Sequence, residues 1–574
     1  MQKIWEITSP PTPDIVEKFP ELRPIILRLL YNRNLTDQAQ IDDFLNPNYD
    51  DHVLDPFLFK DMDKAVDRLL RAVHSGERVM IYGDYDADGV CSSTVLYSAF
   101  KSLGLDVDVY IPFRETEGYG LNPQATQQII DQGFTLVVTI DCGVSNVDEV
   151  AMFQNTGVDV IILDHHQPPP VLPPAYAIIN PAIEGCGYPF TKLCGAGVGF
   201  KFVQAIIKRQ DSADMALKLP VGFDKWLLDI VALATVGDIM PLIGENRVLV
   251  KYGLMVLEKT RRPGLRALID VVNNHNKIDT QTIGWKIVPR LNAAGRVNHA
   301  SAAFNLLNST DEVEAKRLCE ALENNNKDRQ QLTERMVKES LTQIGEITEK
   351  TKILWAQGDD WLAGVVGLVA GRLSNRYHIP TLAVARTGDK YVGSGRSIPQ
   401  FNITAALREC AEHLDHFGGH SQACGFTVIG DDNFKKFQDQ LTAIAERDLA
   451  TIELRPIVRV DSEIKLVDLT WELWDELEKF EPFGEGNPRP IFASYSLLIE
   501  QVRSLGADGK HLRLLVTQEG ALDVHKLIGF SFGEWVTRLV VGDTIDILFE
   551  LEINEWQGRR ELQLRIIDLR KCDN

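Results

Sequence analysis

Four short apolar runs, Val79–Tyr82, Val107–Ile111, Leu136–Ile140 and Val158–Leu163, follow one another with helix-like stretches between most of them, including Ser92–Leu103 and Pro123–Gln132. Strands that alternate with helices pair in parallel through crossover connections, so this region predicts an α/β fold built on a parallel sheet. Ligands of such open sheets bind beyond the carboxyl ends of the strands. The residues just after each run are therefore where chemistry is expected.

Those residues are acidic or imidazole-bearing. Asp84-Tyr85-Asp86-Ala87-Asp88-Gly89 follows the first run, Asp141-Cys142-Gly143 the third, and Asp164-His165-His166 the fourth; Gly237-Asp238 follows the later apolar stretch Leu227–Ala234. Alternate carboxylates on a strand-to-helix turn can converge on a hard cation, which prefers oxygen ligands. The same Asp-x-Asp-x-Asp-Gly string opens a calcium-binding EF-hand loop, but that loop needs a glutamate at its twelfth position. Here that position is Val95, and a strand rather than a helix precedes the motif, so the EF-hand is excluded. So many carboxylates at one sheet edge repel strongly unless cations lie between them. Two divalent ions about 3.5–4 Å apart are the expected solution, able to activate a bridging hydroxide and stabilise both oxygens of a phosphoryl displacement. Imidazole among the carboxylates tilts the choice from magnesium toward manganese. Each motif alone has a plainer reading: Asp238 as the N-cap of a following helix, the Asp84–Gly89 string as an ordinary turn. Their joint occurrence, in this order and at strand ends, favours the metal site.

The rest of the 574 residues divide by texture. Residues 1–50 are Pro-rich and then helical in pattern, without a chemical signal, and 51–308 form the first α/β domain. Ser309 and Glu312 stand in capping-box spacing at the start of a long helical segment, 309–350, expected to connect two domains. A Gly-rich α/β unit occupies 351–453. Alternating short strands with turns such as Ala507-Asp508-Gly509 and Gln557-Gly558 suggest a small β-barrel over 454–574. Gly195-Ala196-Gly197-Val198-Gly199 lacks dinucleotide-fold spacing and reads as tight packing at a helix start. Arg261, Arg262 and Arg266 form a local basic patch that suits either solvent or a DNA backbone.

A net charge of −21 argues against a polyanionic partner, yet a local groove can be positive on an acidic protein, and metal-binding carboxylates inflate the formal count. Hydrophobic residues at 44% and charged residues at 25% fit a folded globular chain. No run of about 18 apolar residues offers a membrane span. The opening residues have neither a basic start nor an apolar core, so no signal peptide is expected. Eight scattered cysteines contain no CxxC pair; Cys186 and Cys194 are the nearest that could bridge, but reduced thiols in the cytoplasm are expected.

The ordered motifs Asp84–Gly89, Asp141-Cys142-Gly143, Asp164-His165-His166 and Gly237-Asp238 resemble the DHH phosphoesterase family. That resemblance implies metal roles for Asp86, Asp88, Asp141, His165 and Asp238. It places His166 toward the scissile phosphate and makes Asp164 the group that orients a neighbouring histidine. Tyr82 stands where many relatives carry a histidine ligand, and Asp84 is the expected substitute. Further stretches, Pro289–Arg296, Gly364–Gly367, Ser394–Ser397, Phe417–His420 and Glu481–Pro488, resemble the RecJ-like exonuclease branch, with its DHH-associated second domain and OB-fold. The branch implies a single-strand-specific DNA exonuclease of repair and recombination, releasing 5′-mononucleotides, with a single-strand-binding protein and a helicase as partners; a monomer is expected. Ser394, Arg396 and Arg114 would then hold the 5′-terminal phosphate, Arg296 and His420 would lie near the scissile or adjacent phosphate, and Asn292 would touch DNA. The physics is compatible: Arg396 offers a planar fork for phosphate oxygens, and Gly418-Gly419 could form a backbone nest for an anion. The alternatives are a phosphodiesterase for short oligoribonucleotides or cyclic dinucleotides, and a catalytically dead scaffold, which would have lost ligands.

Overall fold

The computed structural model describes residues 3–210, 217–273, 277–506, 508–519, 523–556 and 558–572. Of the expected turn residues, Ala507 and Gln557 lie outside the described set. The chain divides into a larger unit, Val53–Pro241 with Glu245–Leu454, and a smaller one, Met1–His52 with Leu242–Gly244 and Arg455–Asn574.

Strand β1 (Ile4–Ile7) lies in the smaller unit; the first sheet of the larger unit is formed by β2 (Arg78–Tyr82), β3 (Asp106–Tyr110), β4 (Leu136–Ile140), β5 (Asp159–Leu163) and β6 (Ala177–Ile179). Their order is β3-β2-β4-β5-β6, and every pairing is parallel. The expected runs match the first four strands to within a residue; β6, only three residues long, carries too little pattern to be seen in advance. In β2, β4 and β5 nearly every residue is buried, as a sheet covered on both faces requires. The chain leaves β2 for β3 on one side and returns to β4 on the other, so the crevice beyond β2 and β4 is the topological switch point.

The long helix runs unbroken from Glu312 to Ile344, through the polar stretch Asn324–Lys327. Its buried residues Ala315, Cys319, Leu322, Asn326, Thr333, Met336 and Ser340 recur at three- and four-residue steps and form one stripe. The expected capping box is displaced. Asp311 is the N-cap, accepting from the Glu314 amide at 2.8 Å, while Ser309 Oγ donates to the Asp311 carbonyl. Met336 packs into the apolar cluster of the second α/β domain, and Arg290 of the first domain meets Glu323 at 2.6 Å. That second domain is a mixed sheet of β7 (Leu354–Gly358), β8 (Thr381–Thr387), β9 (Lys390–Arg396), β10 (His416–His420) and β11 (Ala423–Ile429), ordered β10-β11-β9-β8-β7.

In the smaller unit, β12 (Ile457–Val460) pairs in parallel with β1. β13 (Ser462–Glu463) flanks a barrel made of β14 (Phe492–Leu505), β15 (His511–Thr517), β16 (His525–Gly529), β17 (Thr544–Trp556) and β18 (Arg559–Lys571). Neighbours run β14-β15-β16-β18-β17, and β14–β17 pairing closes the ring, with β16 and β18 parallel: the OB-fold topology. The N-terminal residues are not a detached extension. Ile26, Leu27, Leu29, Leu30 and Phe44 belong to the same apolar core as the barrel's Leu512, Leu514, Ile547 and Phe549. The segment before Val53 folds with the C-terminal unit.

Leu30→Ala, which opens a cavity where the side chain is fully buried, should destabilise the smaller unit by about 2–5 kcal/mol, read by denaturant unfolding. Unchanged stability would show that the N-terminal helices are dispensable to the barrel core.

Candidate metal centre and phosphate site

Just past β2, Asp86 N-caps the helix Ala87–Ser102 by accepting from the Gly89 amide at 3.0 Å. A Cβ on Gly89 would lie 2.5 Å from the Asp84 carbonyl, so this turn closes only around glycine. The next carboxylate, Asp88, is held by a different element. The helix Gly195–Gln210 points its N-terminus at it, and the amides of Gly195 and Ala196 donate to Asp88 at 2.6 and 2.9 Å. Free amides and the helix dipole there stabilise a negative charge. Gly195 also lets the helix reach the site, since a Cβ would fall 2.6 Å from Asp141 Cβ. The packing role expected for Gly195–Gly199 is thus real, and it carries the anchoring of a ligand as well. Nothing in the spacing pointed to these two amides, because they lie over a hundred residues from Asp88.

At the end of β4, Asp141 adopts φ 61°, a left-handed conformation costing about 1–3 kcal/mol for a non-glycine residue. After β5, Asp164 accepts at one oxygen from the His165 and His166 amides and at the other from Val144. Asp238 differs from expectation. The stretch Leu227–Ala234 is the interior of the helix Phe223–Gly237, and Asp238 is its C-terminal cap residue rather than the N-cap of the next helix.

These side chains converge. His165 Nε2 lies 3.0 Å from Asp141, 3.7 Å from Asp238 and 3.8 Å from Asp88. Two triads without a shared residue, Asp84–Asp86–Asp141 and Asp88–His165–Asp238, each bring their ligand atoms within 4.8 Å of one another. Asp84 Oδ1 and Asp141 Oδ1 are buried without a hydrogen-bond partner. Burial, and then the charges of their neighbours, raise the carboxyls of Asp84, Asp86 and Asp141, and push Asp238 up to about 8. Burial lowers His165. Orphaned oxygens, mutual repulsion and a neutral imidazole fit a pair of divalent cations. Asp84 is as well placed as its neighbours, and Tyr82 is not a ligand, its hydroxyl donating to the Gly120 carbonyl.

His166 is oriented differently. Its Nδ1 lies 2.8 Å from Asp164 Oδ1 and 2.9 Å from the Tyr119 hydroxyl, which itself donates to the Asp141 carbonyl. This network places a ring proton on Nδ1, and among the described residues no hydrogen bond engages Nε2. Burial opposes the charged ring, but the hydrogen bond and charge of Asp164 outweigh it and raise His166 to about 9. Tyr119 was missed in the sequence, where it sits in a loop with no distinguishing spacing.

Beside the carboxylates stands the opposite sign. Arg296 donates to the Gly364 carbonyl at 2.9 Å, and burial, then Arg114, Arg329 and Arg396, push it down to about 9. A guanidinium stays protonated, so these arginines concentrate positive charge beside the carboxylates. Arg114 lies over the Tyr85 ring at 4.9 Å. Arg396 donates to Ser394 Oγ at 2.9 Å, and Gly367 makes room for both, since a Cβ there would come within 3.1 Å of Ser394 and 3.2 Å of Arg396.

Other expected site residues fall elsewhere. Asn292 Oδ1 accepts from the Ala87 amide at 2.8 Å, so this atom braces the metal-binding turn. Gly418, Gly419 and His420 form no nest. They lie on β10, the edge strand, because Gly419 at φ 142° pairs so tightly that a Cβ would sit 2.3 Å from the Ala423 carbonyl. Among the described residues, no hydrogen bond or ion pair joins His420 to the cluster. Of the basic patch, Arg262 turns inward to face Asp229 at 3.7 Å, while Arg261, 3.6 Å over Trp226, and Arg266, 3.9 Å from Glu312, stay exposed to solvent. All eight cysteines are free, Cys186 and Cys194 included.

Known proteins carry the same arrangement. Residues 78–235 match the DHH family N-terminal domain, 350–447 the DHHA1 domain and 460–568 the RecJ OB domain. The single-stranded-DNA-specific exonuclease RecJ of Bacillus subtilis (strain 168) is 37% identical over 572 residues, spanning 98% of this chain and 70% of its own length. The chain belongs to the RecJ family. RecJ of Escherichia coli (strain K12) is 32% identical over 570 residues and 96% of each chain. The crystal structure of RecJ in complex with Mn2+ from Thermus thermophilus superposes with a TM-score of 0.83 at 28% identity, covering 100% of this chain and 80% of that one. Its counterpart in complex with Mg2+ gives 0.78 at 27% identity, covering 100% and 79%. The RecJ fold and the acidic cluster together make this a binder of divalent metal.

Mn2+ or Mg2+ should therefore raise the melting temperature, by about 2.7 kcal/mol of stabilisation at a hundredfold excess over Kd. Asp141→Asn should lose this shift while its metal-free form melts no lower than the parent, since a repelling charge is gone. An undiminished shift in the variant would take Asp141 out of the site.

Proposed function

We propose that this chain is a single-strand-specific DNA exonuclease that works from the 5′ end and releases 5′-mononucleotides. The observation that carries the reading is the cluster of metal-ligand triads standing beside a group of arginines, Arg114, Arg296 and Arg396. When bound, two divalent ions make water nucleophilic at neutral pH and neutralise charge developing on phosphoryl oxygens. Asp84, Asp86, Asp88, Asp141, His165 and Asp238 are the residues to hold them. Manganese is favoured over magnesium because His165 adds a nitrogen donor to the carboxylates.

The chain's own groups supply the rest. His166, fixed through Nδ1 by Asp164, presents Nε2 to a phosphate oxygen. Arg296 stands near Asp86, and Arg114 carries positive charge toward both the cluster and Arg396. Ser394 and Arg396 receive the 5′-terminal phosphate, so the bond placed at the metals lies one nucleotide inward and polarity follows. His420 stays a candidate for an adjacent phosphate from the exposed edge of β10. The OB-fold supports long single strands over short oligoribonucleotides or cyclic dinucleotides, since such barrels offer a stacking and electrostatic surface for unpaired bases. The complete ligand set speaks against an inactive scaffold.

The family supports a role in DNA repair and recombination, where a helicase opens the strand and a single-strand-binding protein covers it, with the exonuclease acting as a monomer. No described helix is long and apolar enough to cross a membrane, and the free cysteines suit a reducing cytoplasm.

Asp86→Ala and His165→Ala should each abolish hydrolysis of end-labelled single strands while strand binding persists. Residual turnover in manganese would remove the mutated residue from the ligand set. Arg396→Ala should slow cleavage of 5′-phosphorylated ends at least tenfold more than that of 5′-hydroxyl ends. An equal loss on both would sink the terminal-phosphate pocket.

A further inference from the structure

One helix orders three residues relative to the metal centre. A single wide turn, Thr282–Ile287, runs directly into the helix Val288–Val297. Wide turns of this kind recur at functional positions. Its start is fixed by Asp279, which accepts from the Thr282 amide and hydroxyl. At the far end Arg296 reaches the second α/β domain through Gly364 and feels the charge of Arg396. In the middle, Asn292 braces the Asp86–Asp88 turn through Ala87. At the near end stands Trp285, 81% exposed, the most exposed tryptophan among the described residues.

Asn292 and Arg296 are four residues apart on one face of the helix, and Trp285 stands in the wide turn that leads into it. Eleven residues separate Trp285 from Arg296, about 16 Å along the axis. The turn carrying Trp285 packs on the helix that ends in Asp238: a Cβ on Gly284 would meet Val236 Cγ1 at 3.7 Å. Just beyond, Ile239 is 70% exposed and held at φ 57°, a strained conformation for a β-branched residue. The indole thus stands in water on a turn packed against the helix that delivers a candidate metal ligand, Asp238.

We propose that Trp285 is the platform on which an unpaired base of the DNA strand stacks, on the 3′ side of the bond being cut. The inference rests on the exonuclease reading of the metal centre. With the 5′ end at Ser394 and Arg396 and a phosphodiester at the metals, the strand continues along this helix face toward Trp285. Stacking tolerates any sequence, because every base has a π-face. Both faces of a base inside a duplex are already covered by its neighbours, so the platform favours single strands.

The test compares the full-length chain with Trp285→Ala, Trp285→Phe and Trp285→Tyr on a 5′-phosphorylated thymidine dinucleotide and on long oligothymidylate. Trp285→Ala should raise KM for the long strand roughly tenfold with kcat unchanged and leave the dinucleotide untouched; Trp285→Tyr should restore KM. Metal-free parent protein should lose tryptophan fluorescence on adding oligothymidylate, and Trp285→Phe should lose most of that quench while keeping KM. A KM for the long strand that does not move, or an equal loss on the dinucleotide, overturns the platform. If the parent cuts no strand but the Trp285-dependent quench remains, the exonuclease reading falls and the stacking site stands.

Discussion

Desolvation and like charge work against each other where β2, β4 and β5 end, and the larger unit is built around that conflict. Asp88, Asp141 and Asp238 crowd round the His165 imidazole, and Asp84 and Asp86 stand beside Asp141, with Asp84 Oδ1 buried and without a hydrogen-bond partner among the described residues. Charged groups buried this way are tolerated only when something neutralises them. The fold answers for Asp88 by aiming a helix N-terminus at it, and for Asp164 with three amides and a histidine. For Asp84 and Asp141 the answer is weaker: His165 Nε2 lies 3.0 Å from Asp141 and the Tyr85 amide faces Asp84, yet burial and like charge still raise both carboxyls, which suits bound cations. The strain at Asp141 and the glycines at 89 and 195 are consequences, since each keeps the carboxylates close enough to share ions.

Much of this was readable before any coordinates. The runs that became β2, β4 and β5 are buried on both faces, so they carry strong continuous apolar signals, and the acids and histidines follow them immediately in the chain. The features that escaped reading depend on contacts between distant segments. The amides of Gly195 and Ala196 carry no side-chain mark, yet they fix Asp88. Asp238 ends a helix rather than a strand, because an apolar run fits a buried helix as well as a buried strand. At the long helix two adjacent caps competed, and Asp311 prevailed because its carboxylate reaches the Glu314 amide while Ser309 turned to a carbonyl. The glycine pair at 418–419 signalled backbone freedom but not its use, which is tight pairing along an edge strand. That residues before Val53 fold with the barrel rests on a core assembled from both ends of the chain, visible only in three dimensions.

Net charge was a poor guide for a physical reason. The total of −21 sums over a molecule that segregates its charges, with a carboxylate cluster and the group of Arg114, Arg296, Arg329 and Arg396 influencing one another in the larger unit. Each group alone is in deficit, one calling for cations and the other for an anion. A phosphodiester arriving with divalent ions answers both at once, because its oxygens face the guanidiniums on one side and the metals on the other. On this reading the free protein is held short of electrostatic balance, and the substrate completes it. Part of the binding free energy then comes from relieving repulsion already present in the protein. That relief does not depend on base identity, which suits an enzyme that must cut any sequence. Discrimination between single and double strands has to come from elsewhere, from surfaces that accept a base only when its faces are free.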